Sequence, residues 1–407
     1  MKQRIKLFFA CSCVAAWSAG SLAQSFTWYA STEGNTWKTS TVKMSKKAAD
    51  AHVTVEENVA PIVEFKAWGA TFNELDWDAL GMLTRDEQDE ILKNVFSPEG
   101  DLRISRGRIS MNANDYARSW YSCDEVAGDL ELRYFNIDRD KQSIIPFIRA
   151  AQKYNPGLTF WTSPWCPPSW MKITGDYPVL SSKFNHMPEK MNYILYGNVN
   201  DKVDPDEMKL VGRRGDKFPR QLATTDYFIQ DPRYLQAYAN YFCKFIDAYK
   251  EQGVNIDMVI YQNEAYSYTP YPGCAWTAEG TVRFNRDYLG PTLRQKHPEV
   301  KLYLGTFNTN RVDYVQKIAS DTKLQEYVSG MAFQWEGRES LPVLRKEHPE
   351  WNYMCSESEC GWGSFDWGAG EHTFELMNHY LGNGCNEYTF WNFILADNGE
   401  SPWGWKA

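Results

Sequence analysis

From Ile62 onward, short apolar runs alternate with segments of helical period, and this alternation restricts the fold more than any other feature of the chain. Strands separated by amphipathic helices build a parallel sheet. The candidate strands are Val63–Gly69, Leu102–Ser110, Leu158–Trp165, Ile256–Glu264, Lys301–Phe307, Gly330–Trp335, Trp351–Glu357 and Glu387–Phe393. Between them the spacing predicts helices over Thr84–Val95, Ser143–Tyr154, Asp231–Gln252, Thr277–Lys296, Val312–Tyr327, Ser340–Glu347 and Glu371–Leu381. Asp231-Pro232 opens the third helix with a capping side chain and a proline at the first helical position. This is the pattern of a (β/α)8 TIM barrel without its last helix. Residues 24–61 read differently: Phe26-Thr27-Trp28-Tyr29 and His52-Val53-Thr54-Val55 look like exposed strands of an incomplete β-sandwich side domain. The barrel then occupies 62–407.

The remaining length is accounted for at the N-terminus. Lys2, Arg4 and Lys6 precede an apolar stretch from Leu7 to Ala16, and Ser21-Leu22-Ala23 offers a small-x-small cleavage site. Residues 1–23 therefore read as a signal peptide, which implies a secreted, periplasmic or cell-surface protein. The competing reading is a lipoprotein anchor at Cys11 or Cys13, neither of which follows a Leu-small-small box. No later stretch reaches the roughly 18 apolar residues of a membrane span. A formal net charge of −9 without a basic stripe excludes nucleic acid as the expected partner. Seven cysteines follow the signal, from Cys123 to Cys385, too dispersed for a disulfide scaffold, and buried thiols are expected for most. The six histidines form no ligand cluster, and no phosphate loop is present, so no cofactor is expected. Gly69 in Gly69-Ala70-Thr71 reads as close packing.

Two candidate strands end in carboxylates. Gln262-Asn263-Glu264 closes the fourth, and Ser356-Glu357 the seventh. In a parallel barrel, groups at the C-terminal ends of strands line the mouth, and these two strands face one another across it. Two carboxylates on one substrate can cleave a glycosidic bond. Glu359 lies on the same strand face as Glu357, and the alternation does not decide between them. Arg108 and Asp115 bracket the end of the second strand: the arginine is suited to orient a carboxylate, the aspartate to bind hydroxyls, and a mutual ion pair is an equal alternative. Trp165, Trp335 and Trp391 stand at or near strand ends, where indole faces stack on pyranose rings.

With these residues in view, the chain resembles glycoside hydrolase family 30, the glucosylceramidase-like clan A enzymes. The resemblance runs from Gly69-Ala70-Thr71-Phe72 through Arg108 to Asp115, Ser163-Pro164-Trp165-Cys166-Pro167-Pro168-Ser169-Trp170-Met171-Lys172, Gln262-Asn263-Glu264, Ser356-Glu357 with Cys360, and Trp391-Asn392. It implies Glu264 as acid/base and Glu357 as nucleophile of a retaining mechanism, with Asp115, Trp165, Asn263, Trp335 and Trp391 on the sugar. The implied substrate is a β-glucoside or β-glucan. Hydrolysis of β-xylan or β-galactan is the alternative within the family, and an inactive carbohydrate-binding remnant the alternative outside it. Family members continue past Ser401-Pro402-Trp403-Gly404-Trp405, where this sequence ends, so the resemblance implies a barrel lacking its eighth helix and a marginal fold.

Overall fold

A computed structural model describes residues 25–43, 60, 62–183, 185, 226–267, 269–359, 364, 366–397 and 399–404. The signal segment, the strand expected at His52–Val55, Cys360 and the middle of the insertion expected over 173–230 lie outside the described residues.

Strands β1 (Ser25–Thr32) and β2 (Asn35–Lys43) form an antiparallel hairpin with nearly every side chain exposed. Eight further strands then close a parallel barrel: β3 (Ala67–Phe72), β4 (Arg106–Met111), β5 (Thr159–Pro164), β6 (Ile256–Ile260), β7 (Lys301–Phe307), β8 (Val328–Gln334), β9 (Asn352–Ser358) and β10 (Glu387–Phe390). The last strand pairs with both β9 and β3, which completes the ring.

The helices follow the expected order with one addition. They are α1 (Glu74–Gly81), α2 (Arg85–Phe96), α3 (Ile144–Gln152), α4 (Pro232–Glu251), α5 (Ala278–Phe284), α6 (Gly290–Lys296), α7 (Val312–Ala319), α8 (Leu341–Glu347) and α9 (Trp367–Gly382). In α4, Leu235, Tyr238, Phe242, Phe245 and Tyr249 share one buried face, the i, i+3, i+4 stripe that packs a helix on a sheet. Asp231 caps it by accepting from the Arg233 amide. The single helix expected over Thr277–Lys296 is split by a π turn at Asn285–Leu289, which separates α5 from α6, and the one expected over Val312–Tyr327 breaks after Ala319 and resumes as a single turn at Thr322–Gln325 capped by Asp321. Among the described residues no helix is long and apolar enough to cross a membrane.

Inward-pointing Trp161, Met258, Ile260, Tyr303, Ala332 and Met354 pack as one cluster that fills the barrel. The two-residue period of β4 places Arg106 and Arg108 on the same inner face, one step apart. Arg106 binds Asp257 and Glu387 toward the lower end. Arg108, one step higher, reaches the mouth. Gly69 is a packing glycine, as its position suggested: a Cβ there would lie 2.6 Å from the Thr389 hydroxyl. The six described cysteines, Cys123, Cys166, Cys243, Cys274, Cys355 and Cys385, are buried free thiols.

Candidate active site

At the mouth of the barrel the fully buried Arg108 guanidinium joins two strand ends. Its Nη1 donates to Glu357 Oε2 at 2.5 Å and to the Ser356 carbonyl at 3.3 Å. Its Nη2 donates to Asn263 Oδ1 at 2.6 Å and to Ser163 Oγ at 3.3 Å. The two arms of one planar cation thus fix a carboxylate from β9 relative to an amide beyond β6. The ion pair weighed between Arg108 and Asp115 is not the one formed. The partner of Arg108 is Glu357, because β4 directs residue 108 into the barrel while Asp115 lies past the strand's end.

Glu357 also accepts from the Trp335 indole nitrogen at 3.1 Å. Glu359 is held elsewhere. It accepts from Arg338 at 2.8 Å and lies 2.7 Å from His372 Nε2. The strand ends at Ser358, so the alternation that grouped the two glutamates no longer applies at 359.

Glu264 differs from expectation in its support. Strand β6 ends at Ile260, and Glu264 lies in the segment beyond, at a left-handed φ of +48°. The backbone there stays clamped between neighbours: the Asn263 amide donates to the Pro164 carbonyl at 2.6 Å, and the Thr306 amide donates to the Gln262 carbonyl at 2.9 Å. The Glu264 amide itself donates to Thr306 Oγ1 at 3.0 Å. Trp335 has the same left-handed backbone, φ +49°. For bulky residues this conformation costs about 1–3 kcal/mol each and recurs at functional sites. The carboxylate of Glu264 accepts from Ser267 Oγ at 2.7 Å and from Gln334 Nε2 at 3.0 Å.

Gln334 was not singled out from the sequence, and it ties the site together. The same Nε2 lies 3.2 Å from Asn263 Oδ1, and its Oε1 accepts from Ser356 Oγ at 2.9 Å. A continuous chain therefore runs from Glu264 through Gln334, Asn263 and Arg108 to Glu357. Asn263 Oδ1 accepts from Arg108, Gln334 and Thr306, which fixes its amide orientation.

The three tryptophans converge on this chain in different ways. Trp165 and Trp391 stack on each other with centroids 5.2 Å apart, and both lie over the Arg108 guanidinium, at 4.3 and 5.5 Å. Both are buried, at 2% and 5% exposure, whereas Trp335 is half-buried and retains an open surface. Asp115 is buried with Oδ1 unpartnered by protein groups. Burial first, and then the charge of Glu357, hold its carboxyl well above the usual carboxylate range. It is suited to donate as well as accept a hydrogen bond.

The Lys172 that ends the Ser163–Lys172 run does not enter the site. Its buried ammonium donates to the carbonyls of Tyr177, Pro178 and Gly273 at 2.6, 3.1 and 2.7 Å, which ties two mouth loops together.

A closed parallel barrel with two carboxylates joined across its mouth by an arginine-centred network defines a barrel of the glycoside-hydrolase class. Residues 65–183 and 228–406 match the glycosyl hydrolase family 30 TIM-barrel domain. The chain belongs to that family. It is 26% identical over 345 residues to the lysosomal acid glucosylceramidase of Mus musculus, covering 79% of this chain and 58% of that protein. It is 23% identical over 270 residues to an endo-1,6-β-D-glucanase of Aspergillus fumigatus, covering 65% of this chain and 48% of that one. Among solved structures, SrfJ of Salmonella typhimurium superposes with a TM-score of 0.71 at 18% identity, over 93% of this chain and 77% of the other. The chain spans about three-fifths of the length of the curated relatives it matches.

Proposed function

We propose that the protein is a retaining β-glycosidase acting on β-linked glucose, with Glu357 as nucleophile and Glu264 as acid/base. The observation that carries the reading is the hydrogen-bonded chain joining the two carboxylates through Arg108. It holds both carboxylates at one barrel mouth, where the retaining mechanism calls for a separation of about 5–5.5 Å. The environments assign the roles. Glu357 is set against a guanidinium, which complements an ionised nucleophile. Glu264 takes hydrogen bonds from the neutral Ser267 and Gln334 and is the more open of the two.

In the first step Glu264 gives its proton to the glycosidic oxygen as a Glu357 oxygen bonds to the anomeric carbon and the leaving alcohol departs. In the second, Glu264 takes a proton from water, whose oxygen displaces Glu357 from the same carbon. Asn263 presents its amide N–H beside the reacting sugar, its oxygen being committed to three donors. Asp115 and Trp335 complete the sugar's surroundings. The names of the relatives favour a glucoside or a β-1,6-glucan. The sequence pattern of residues 1–23 favours export.

The test is azide rescue. Glu357→Ala is expected to lose turnover of an aryl β-glucoside and to regain it in azide with formation of the inverted glycosyl azide. Rescue of Glu359→Ala instead would move the nucleophile and defeat the assignment.

A further inference from the structure

Glu357 and Glu359 stand two residues apart at the end of β9, and both are tied to the same short turn, Trp335–Glu339. Trp335 Nε1 donates to Glu357 Oε1 at 3.1 Å, and Arg338 Nη1 donates to Glu359 Oε1 at 2.8 Å. We infer that Glu359 is a positioning residue: through Arg338 it holds the turn so that the Trp335 indole N–H stays on the nucleophile. The role rests on the glycosidase reading above and adds to it a residue that acts from outside the carboxylate pair.

The turn needs a second tie. It is five residues of 3₁₀ geometry, too short to be stable alone, and it begins at Trp335 in the left-handed region, φ +49°. The indole hydrogen bond by itself is one point of attachment, about which the segment can pivot. The contact of Arg338 with Glu359 is a second, three residues along. Two contacts between the same two backbone segments fix their relative rotation. The turn also bears on the end of β7, where a Cβ added at Gly337 would collide with the Phe307 carbonyl.

Glu359 is placed for this role. Its side chain is 13% exposed, against 62% for Glu339, the other carboxylate near Arg338, at 3.7 Å. Its second oxygen lies 2.7 Å from His372 Nε2 on α9, so both oxygens are engaged and the carboxylate cannot turn away. Two helical turns further along α9, His379 Nε2 lies 3.0 Å from the Arg338 carbonyl and holds the same residue by its backbone.

The consequence falls on Glu357. Arg108 holds its Oε2 and Trp335 its Oε1, so two donors set the plane of the carboxylate. A nucleophile must present an oxygen in line with the anomeric carbon, and a misplacement of about 1 Å can cost about 100-fold in rate. Without Glu359 the Trp335 donor is loosened.

A double-mutant cycle on kcat with an aryl β-glucoside separates this role from a general effect on folding. Glu359→Ala cuts the tie, and Trp335→Phe removes the indole N–H while keeping an aromatic ring. Each alone should lower kcat by about tenfold. In the Trp335→Phe background Glu359→Ala should cost less than about twofold, because the hydrogen bond it serves is already gone. Arg338→Ala cuts the same tie from a partly exposed side chain and should give the same cycle if Glu359→Ala does not fold. Glu359→Gln keeps an acceptor for Arg338 and should stay within about threefold of wild type. Equal costs in both backgrounds, or a Glu359→Gln variant as slow as Glu359→Ala, overturn the role of Glu359 and leave the glycosidase reading standing. Absence of hydrolysis by the wild-type protein overturns that reading and the positioning role with it.

Discussion

Replacing Arg108 by lysine is the most direct test of the network at the barrel mouth. The substitution keeps the positive charge and removes the fork. Arg108 contacts Glu357 at 2.5 Å through one arm and Asn263 at 2.6 Å through the other. A lysine ammonium on the same buried stem can reach one of these partners in the arginine's geometry, and the carboxylate wins on charge. The hydrogen bond to Asn263 is then lost. A hydrogen bond involving a charged group is worth about 1.5–3 kcal/mol, and the flat surface under Trp165 and Trp391 is lost with it. Arg108→Lys is therefore expected to lower stability to urea by about 2 kcal/mol. If Asn263 must be held for the reaction, kcat/KM on an aryl β-glucoside should fall by about 10- to 100-fold. Arg108→Met makes the comparison complete, because it leaves Glu357 buried without its cation, a change that costs about 3–5 kcal/mol. Urea unfolding followed by circular dichroism measures the first effect and initial rates the second. An Arg108→Lys variant within twofold of wild type in rate, and unchanged in unfolding midpoint, would refute the claim that the guanidinium fork couples the two sides of the mouth.

Two further outcomes follow from groups outside the site. Thr84 caps α2 in a reciprocal box with Glu87, so Thr84→Ala should cost about 1 kcal/mol, seen as a lower unfolding midpoint without change in turnover. Buried Asp140 accepts from Tyr121 and Tyr249, both at 2.6 Å, and burial pushes its carboxyl up from 3.8 to about 6. A raised carboxyl stabilises the fold fully below the unfolded value and loses that contribution as pH rises through the folded one. The wild type should therefore lose about 2.4 kcal/mol between pH 4 and pH 7 relative to Asp140→Asn, a difference read from urea unfolding of the pair across that range.

The barrel was legible because its strands are buried on both faces and its helices on one. Continuous apolar runs and helical stripes are what those environments select, and β7 runs from Lys301 to Phe307 as the sequence indicates. Helix α1 was not legible. Its inward face carries Glu74 and Asp76, and a hydrophobic pattern cannot reveal a helix that buries carboxylates. Glu74 is satisfied by Arg139, Ser143 and the Arg118 amide, partners that lie 44 to 69 residues away in the chain. The same limit applied at the mouth. Glu264 and Glu357 stood out because a carboxylate after an apolar run is conspicuous, while the alternation alone left Glu359 beside Glu357, and it is the tertiary positions of Arg338 and His372 that hold Glu359 elsewhere. Gln334 left a signal that went unused. It is a wholly buried amide closing an apolar strand, and a buried polar side chain without a local partner points to a network.

The tryptophans show how residue type and role can separate. Indole at a strand end suggested a platform for sugar, and Trp335 retains the surface to be one. Trp165 has a different contact. Its ring lies 4.3 Å from the Arg108 guanidinium and stacks on Trp391, leaving 2% of the residue exposed. Arg108 Nε has no hydrogen-bond partner in the protein. Indole faces take over part of the solvation that a buried cation loses, an interaction worth about 2 kcal/mol when desolvated. The expectation is therefore that Trp165 acts through Arg108 and Glu357 more than through the substrate. Trp165→Phe keeps an aromatic ring of smaller face and weaker pull on the cation. If about 1 kcal/mol of that interaction is lost and reaches the transition state, kcat should fall by about fivefold while KM changes little. A platform residue gives the opposite pattern, because weaker stacking on the sugar raises KM and spares kcat. Steady-state rates over a range of aryl β-glucoside concentrations separate the two, and a rise in KM alone would return Trp165 to the sugar-binding surface.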